Sequence, residues 1–556
     1  MSFLGRRLPL RPLARSKAHQ GRLVHPIALP TCRWLTTTTS TDLSKPSTPT
    51  ESSALGLKPR FDLAALCARA DEVARNARDR NFPHVNIPRI VDLHTRSNAL
   101  LKELNDQRQL RNQLGRETGG LNRDLKKALT AQKQGIPSEA KDGGEVKNLE
   151  TRIEAAVNRA REVRERCAKL ETEYDTLHTQ LVDEASKVPN ATHPTTPIGD
   201  ESQARIMRTV GTPLTELSAT TVSPATPLPS LRDHVTLCQT LGLADFQAGA
   251  TTTGTSFYYL TGAGALLELA LVQYAIQKAV ARGYLPVLAP DIVRSEIVNG
   301  CGFRPRDGEA SQTYYVSTTD TSQVGDSSTT VNSAGATTPQ AHPALCLAAT
   351  AEIPLAGMLV NRRLPPGEIP KKMVAFGHCF RAEAGARGAE TRGLYRVHQF
   401  SKVELFAVAE PTESDRMLEE IVGLQEEIIK DLGLCYRVLD MPTHELGASA
   451  YKKYDIEAWM PGRKSWGEVS SASNCTDYQA RRLNIRYTTK GKSDDGKALG
   501  FAHTLNGTAC AVPRLIIAIL ETFQTPEGEV VVPEPLRPWM GGLARIRSDT
   551  VTELKA

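Results

Sequence analysis

The chain has 556 residues, 40% hydrophobic and 23% charged, with a formal net charge of +6 at pH 7. That usage excludes a collagen-like repeat, whole-chain disorder and a membrane bundle, and no run of about 18 uncharged apolar residues is available as a membrane span. Ten cysteines lie scattered with no C-x-x-C spacing, which argues against both a zinc site and a disulfide framework.

The charge is uneven. Residues 1–41 hold Arg6, Arg7, Arg11, Arg15, Lys17, Arg22 and Arg33, and the first acid is Asp42. This segment therefore carries the whole positive excess, and the rest of the chain is close to neutral. Arginines interleaved with Phe3, Leu4, Leu8, Leu10 and Leu13, with no acids, read as a mitochondrial transit peptide and imply a matrix location; a basic RNA-binding tail is the alternative. Residues 42–60 read as a Ser/Thr/Pro-rich linker, with order beginning near Phe61.

A long helical hairpin follows, within an N-terminal domain at 61–190. From Ile90, the positions Leu93, Ser97, Leu100, Leu104, Gln107, Arg111, Leu114, Thr118, Leu121, Leu125 and Ala128 alternate three and four apart. From Val146, the positions Leu149, Ile153, Ala156, Ala160, Val163, Cys167, Leu170, Tyr174, Leu177 and Leu181 do the same. Two such seams bury themselves against each other as a coiled coil, and Gly135-Ile136-Pro137 with Gly143-Gly144 supply the turn. At 1.5 Å per residue, about 45 residues per helix give an arm of roughly 65 Å. Its outer part is rich in Lys and Arg, while 171–184 at the base holds Glu171, Glu173, Asp175, Asp183 and Glu184. A projecting basic rod suits a phosphate backbone.

Residues 191–230 read as a Pro/Thr-rich linker. The second domain spans 231–545 and ends in a short tail, 546–556. Strand-like runs at 372–376, 403–408 and 454–459 mix with helical patterns at 266–281, 414–432 and 514–523, which predicts an α+β domain on an antiparallel sheet. Residues 316–343 read as a low-complexity insertion. Neither a Walker-type phosphate loop nor a G-x-G-x-x-G after a strand is present, so nucleotide binding would use other means.

Charged residues inside apolar, strand-like sequence mark candidate sites, because buried charge is costly unless paired or bound to ligand. Four stretches qualify: Thr350-Ala351-Glu352; Phe380-Arg381-Ala382-Glu383 with Arg396-Val397-His398-Gln399-Phe400 and Glu404; Glu468-Val469-Ser470-Ser471; and Asn506-Gly507-Thr508 leading to Arg514. Arg381, Arg396 and Arg514 suit a polyphosphate by bidentate contact. Glu352 and Glu404 suit an ammonium. Glu468 and Ser471 offer hard oxygen ligands for Mg²⁺, and Phe400 a stacking face. A nucleoside triphosphate together with an amino acid fits this inventory.

These stretches, in this order and behind such an arm, resemble a class II aminoacyl-tRNA synthetase, and within that class a seryl-tRNA synthetase. Leu285–Pro290 resembles the family's dimer-forming first motif, Phe380 to Phe400 its second, and the N-x-T to P-R run its third. The T-A-E triplet, H-Q-F and the arm point to the seryl branch. The resemblance implies that Arg381 and Arg514 are catalytic, that L-serine is held by Thr350, Ala351, Glu352, Arg381, Glu404, Asn506 and Thr508, and that ATP is held by Arg381, Ala382, Glu383, Arg396, Val397, Phe400, Glu468, Val469, Ser470, Ser471 and Arg514. It further implies Mg²⁺ on Glu468 and Ser471, a homodimer, tRNA(Ser) on the arm, and serine activation in mitochondrial translation. A catalytically inactive relative binding RNA or protein is the alternative. One departure stands out: Thr443-His444-Glu445-Leu446-Gly447 replaces the family's T-G-D-M-G run.

Overall fold

The computed structural model of the chain describes residues 55–133, 144–215, 230–303, 312–316, 344–383, 392–489 and 499–550. The expected transit peptide 1–41, most of the expected 42–60 linker and the expected 316–343 insertion, apart from Val316, lie outside the described residues.

Helices α1 (Ile87–Lys133) and α2 (Gly144–Ser186) form the arm. Ile90 and Leu93 cluster with Leu181, Leu104 with Cys167 and Leu170, and Leu121 with Leu149 and Ala156, so the two seams pack antiparallel. Arg111 is the exception, an exposed residue within the first seam. Cross-helix pairs Arg108–Glu171 (2.8 Å) and Arg166–Glu103 (2.6 Å) are half exposed, so the apolar seam holds the hairpin together. The base of the arm is pinned by Arg80, which is fully buried and donates to the carbonyls of Asn190 (2.7 Å), Ala191 (3.1 Å) and Gly447 (2.5 Å).

The second domain is built on an eight-stranded sheet. Its strands are β1 (Arg205–Val210), β2 (Leu285–Leu288), β3 (Lys371–Phe380), β4 (Gln399–Ala409), β5 (Tyr436–Asp440), β6 (Lys452–Met460), β7 (Ser465–Asn474) and β8 (His503–Ala511), in spatial order β1-β5-β6-β7-β8-β4-β3-β2. All neighbours pair antiparallel except β2 and β3. Helices α3 (Ala263–Ala281), α4 (Ser414–Asp431) and α5 (Val512–Thr522) cover one face and share the main core with Val403, Leu405 and Ala407 of β4. Phe406 and Val408 point the other way, into a second core with Ile353, Leu355 and Leu364. This is period-two alternation, and it places Lys402 and Glu404 on the same face as Phe406. Gly507 lets α4 lie close on β8: a Cβ there would come within 2.4 Å of Ile421 Cγ2.

Two stretches read as linker are structured where described. Residues 205–210 add β1 to the sheet edge beside β5. All but one of their side chains are exposed, so the strand carries no apolar alternation; its ladder is supplemented by the pairs Arg205–Asp440 and Arg208–Glu426 and by Val210 against the main core. Leu55 and Leu57, ahead of the expected onset near Phe61, pack against the second core.

Candidate active site

Sheet register assembles the site. Thr508 of β8 lies directly opposite Glu404 of β4. Thr508 Oγ1 donates to Glu404 Oε2 at 3.2 Å, Asn506 Nδ2 donates to Oε1 at 3.3 Å, and Lys402 Nζ lies 2.6 Å from Oε2. Glu404 is only 1% exposed, so its charge is tolerated because three donors surround it. Glu352, at the start of a short helix, is buried beside it. Gln479 Nε2 donates to Glu352 Oε1 at 2.6 Å. Burial, and next the neighbouring Glu404 carboxylate, push the Glu352 acid up to about 7, against the pull of Gln479, Lys402 and Arg381.

On β7, Glu468 and Ser471 are three residues apart and would face opposite ways in a regular strand. Val469 is an extra residue there: Ile456 pairs with Ser470 but Glu457 pairs with Glu468. The bulge resets the alternation and turns both side chains into one cavity. Arg514, near the start of α5, reaches Glu468 Oε2 and its carbonyl, both at 3.0 Å. Burial alone would raise the Glu468 acid, but Arg514 and then Lys453 outweigh it and hold the carboxyl down to about 2. Lys453 itself pairs with buried Asp455 at 2.8 Å.

Arg381 leaves the end of β3 and is fixed by His398, whose carbonyl accepts from the Arg381 amide at 2.9 Å. Its guanidinium lies 5.2 Å from the Phe400 ring centroid. Glu383 pairs with Arg396 at 3.8 Å and holds φ at +45°, a strained backbone for a non-glycine.

Two adjoining cavities result. The first, about 550 Å³ of empty space, is lined by Arg381, Glu383, Arg396, Val397, Phe400, Lys402, Glu468, Val469, Ser470, Ser471, Thr508 and Arg514 among others. The second, about 1200 Å³, is lined by Thr350, Glu352, Arg381, Lys402, Glu404, Ser471 and Asn506 among others. Arg381, Lys402 and Ser471 belong to both, so the two open onto each other. Of the residues expected from the sequence, all reach one cavity or the other except Ala351 and Ala382. Ala351 is packed in the second core, and the Ala382 amide donates to Gln312 O at 3.1 Å.

Some contributors lie in or beside the candidate stretches but carry no role from the sequence. Lys402 sits two residues from Glu404 on the same face, a spacing that marks it once the strand is known. Tyr395 lies under Arg514 (4.7 Å) and Arg463 (3.7 Å). Gln479 carries no sequence signal, being one polar residue in a one-turn helix. The departing run 443–447 places Glu445 and Gly447 on the wall of the second cavity, and Phe82 from the arm's domain lines it too.

An antiparallel sheet backed by helices, with arginines and carboxylates converging on its open face, defines the catalytic core of a class II aminoacyl-tRNA synthetase. Residues 337–523 accordingly match the family model for the tRNA synthetase class II core domain (G, H, P, S and T). The chain is 40% identical to the serine–tRNA ligase of Rubrobacter xylanophilus over 482 residues, covering 86% of this chain and 98% of that one. It is 38% identical to the mitochondrial serine–tRNA ligase of Mus musculus over 491 residues, 87% of this chain and 83% of that one. Among solved structures, the seryl-tRNA synthetase of Pyrococcus horikoshii complexed with ATP aligns with a TM-score of 0.70 at 32% identity, covering 88% of this chain and 99% of that one. The chain belongs to the serine–tRNA ligase family.

Proposed function

We propose that the two cavities activate L-serine with ATP and pass it to the 3′ end of tRNA(Ser). The observation that carries this reading is the junction at Arg381: an arginine-rich, aromatic cavity meets a pocket whose floor is two buried carboxylates. The serine ammonium goes to Glu352. The hydroxyl goes to Glu404 and Thr508, with Asn506 behind. ATP lies along Arg381, Arg396 and Arg514, with its base against Phe400 and its amino group towards Glu383. The serine carboxylate attacks the α-phosphorus, the bond to the β-phosphate oxygen breaks, and pyrophosphate leaves. Arg381 and Arg514 offset the charge that develops, and no covalent bond to the protein forms. The tRNA ribose hydroxyl then attacks the seryl carbonyl and AMP departs.

Glu468, held ionised, and Ser471 form a hard-oxygen pair suited to Mg²⁺, which would neutralise phosphate charge there. A missing hydroxyl would leave buried donors and acceptors unpartnered, so alanine is rejected by about 10⁴-fold without an editing site. The basic arm carries the tRNA. Leu285, Leu288 and Ile292, 53%, 89% and 48% exposed, supply the apolar patch for a homodimer. The arginine-rich start of the chain and the mitochondrial relatives support a mitochondrial location. Serine-dependent ATP–pyrophosphate exchange tests the reading: Arg381→Ala abolishes exchange if it is right, and exchange that persists in that variant overturns it.

A further inference from the structure

Gln479 lies on the helix Tyr478–Leu483, is completely buried, and has both ends of its amide engaged. Its Nε2 donates to Glu352 Oε1 at 2.6 Å and also faces the Cys301 carbonyl at 3.3 Å, while its Oε1 accepts from Thr504 Oγ1 at 2.7 Å. The hydroxyl of Thr504 thus fixes which way the amide points, and the amide fixes Glu352. Thr504 is on β8, the strand that also carries Asn506 and Thr508, so the ammonium and hydroxyl halves of the pocket are tied through this one glutamine.

The choice of side chain is informative. Glu352 faces Glu404, Lys402, Arg381 and the thiols of Cys301 and Cys475. A lysine or arginine at 479 would orient Glu352 but would cancel the charge that an ammonium needs. An apolar residue would leave a buried carboxylate oxygen without a donor. A neutral amide donor orients the carboxylate and leaves its charge for the ligand.

Building on the serine-activation reading above, we infer that Gln479 is a positioning residue for amino-acid recognition, holding the Glu352 carboxyl group in place for the substrate ammonium. It touches neither ATP nor the reacting atoms.

The test is pyrophosphate exchange by the full chain between pH 6 and 9. In the unmodified protein, KM for serine rises as pH falls through about 7, where Glu352 takes up a proton. Gln479→Met is expected to raise KM for serine by roughly 10- to 100-fold, the loss of one hydrogen bond to a charged group. The upturn in KM moves to higher pH, while kcat at saturating serine and KM for ATP stay within about threefold. Thr504→Val keeps the strand's shape and frees the amide, so it gives a smaller change of the same sign even if the first variant folds poorly. Unchanged serine KM and pH midpoint in Thr504→Val, or an equal loss in serine and ATP parameters, overturns the inference while serine-dependent exchange still upholds the site. Absence of that exchange in the unmodified protein sinks both.

Discussion

Replacing Thr508 by valine isolates the hydroxyl-recognition half of the pocket. Valine is nearly the same size, suits a strand, and removes only the Oγ1 that donates to Glu404 Oε2 at 3.2 Å. The backbone contacts at this position survive: the Thr508 carbonyl accepts from Ser470 Oγ (2.5 Å) and Gln425 Nε2 (3.0 Å) whatever the side chain. Glu404 keeps Lys402 at 2.6 Å and Asn506 at 3.3 Å, so it is not left bare. The loss is therefore one hydrogen bond to an ionised group, about 1.5–3 kcal/mol, or roughly a 10- to 150-fold fall in kcat/KM for serine. Alanine has no hydroxyl to lose, so its kcat/KM changes little and the serine-over-alanine ratio falls by the same factor. Parallel pyrophosphate-exchange assays with serine and alanine, with KM for ATP as control, measure this. A fall of less than about twofold for serine, or an equal fall for both amino acids, would refute the assignment of Thr508 to the alcohol.

Removing Arg514 as Arg514→Met takes from Glu468 its 3.0 Å partner and should raise KM for ATP by an order of magnitude or more, read by titrating ATP in the same assay. Because Glu468 titrates near 2 when folded, against 4.5 otherwise, its contribution to stability is present above pH 4.5 and drains away between there and pH 2; Arg514→Met should flatten that part of an acid-unfolding curve. Arg80→Met takes a donor from the carbonyls of Asn190, Ala191 and Gly447, of which Asn190 keeps Asn76 Nδ2 (3.0 Å) and Gly447 keeps the Ala450 amide (3.1 Å), and should cost about 1–3 kcal/mol, seen as a lowered Tm and, through the 443–450 loop, a raised KM for serine. Replacing 105–166 by a short Gly/Ser turn keeps the Leu104 and Cys167 ends of the seam together; serine-dependent exchange should persist and tRNA charging should collapse.

Much of the site was legible because its chemistry forced charged residues into apolar strands. Arg381, Glu404, Glu468 and Arg514 stand out in the chain for the reason that they matter in the fold: a buried charge needs a partner or a ligand. The role of Lys402 and the presence of Gln479 escaped. Lys402 differs from a surface lysine only in its buried partner two residues along the strand, and Gln479 is polar without charge. Strand β1 escaped because an edge strand with exposed side chains needs no apolar pattern, only a neighbour to complete its ladder.

The arm, with its three–four apolar spacing, and the α+β core with its arginine and carboxylate set could be read from the chain, since periodicity and residue chemistry are local properties. Tertiary structure alone decided which residues meet. The register placed Thr508 opposite Glu404, the bulge at Val469 turned Glu468 and Ser471 to one side, and Gln479 arrived from a separate helix to orient Glu352. The first and last of these join segments 104 and 127 residues apart in the chain, and no window of sequence holds both halves of such a contact.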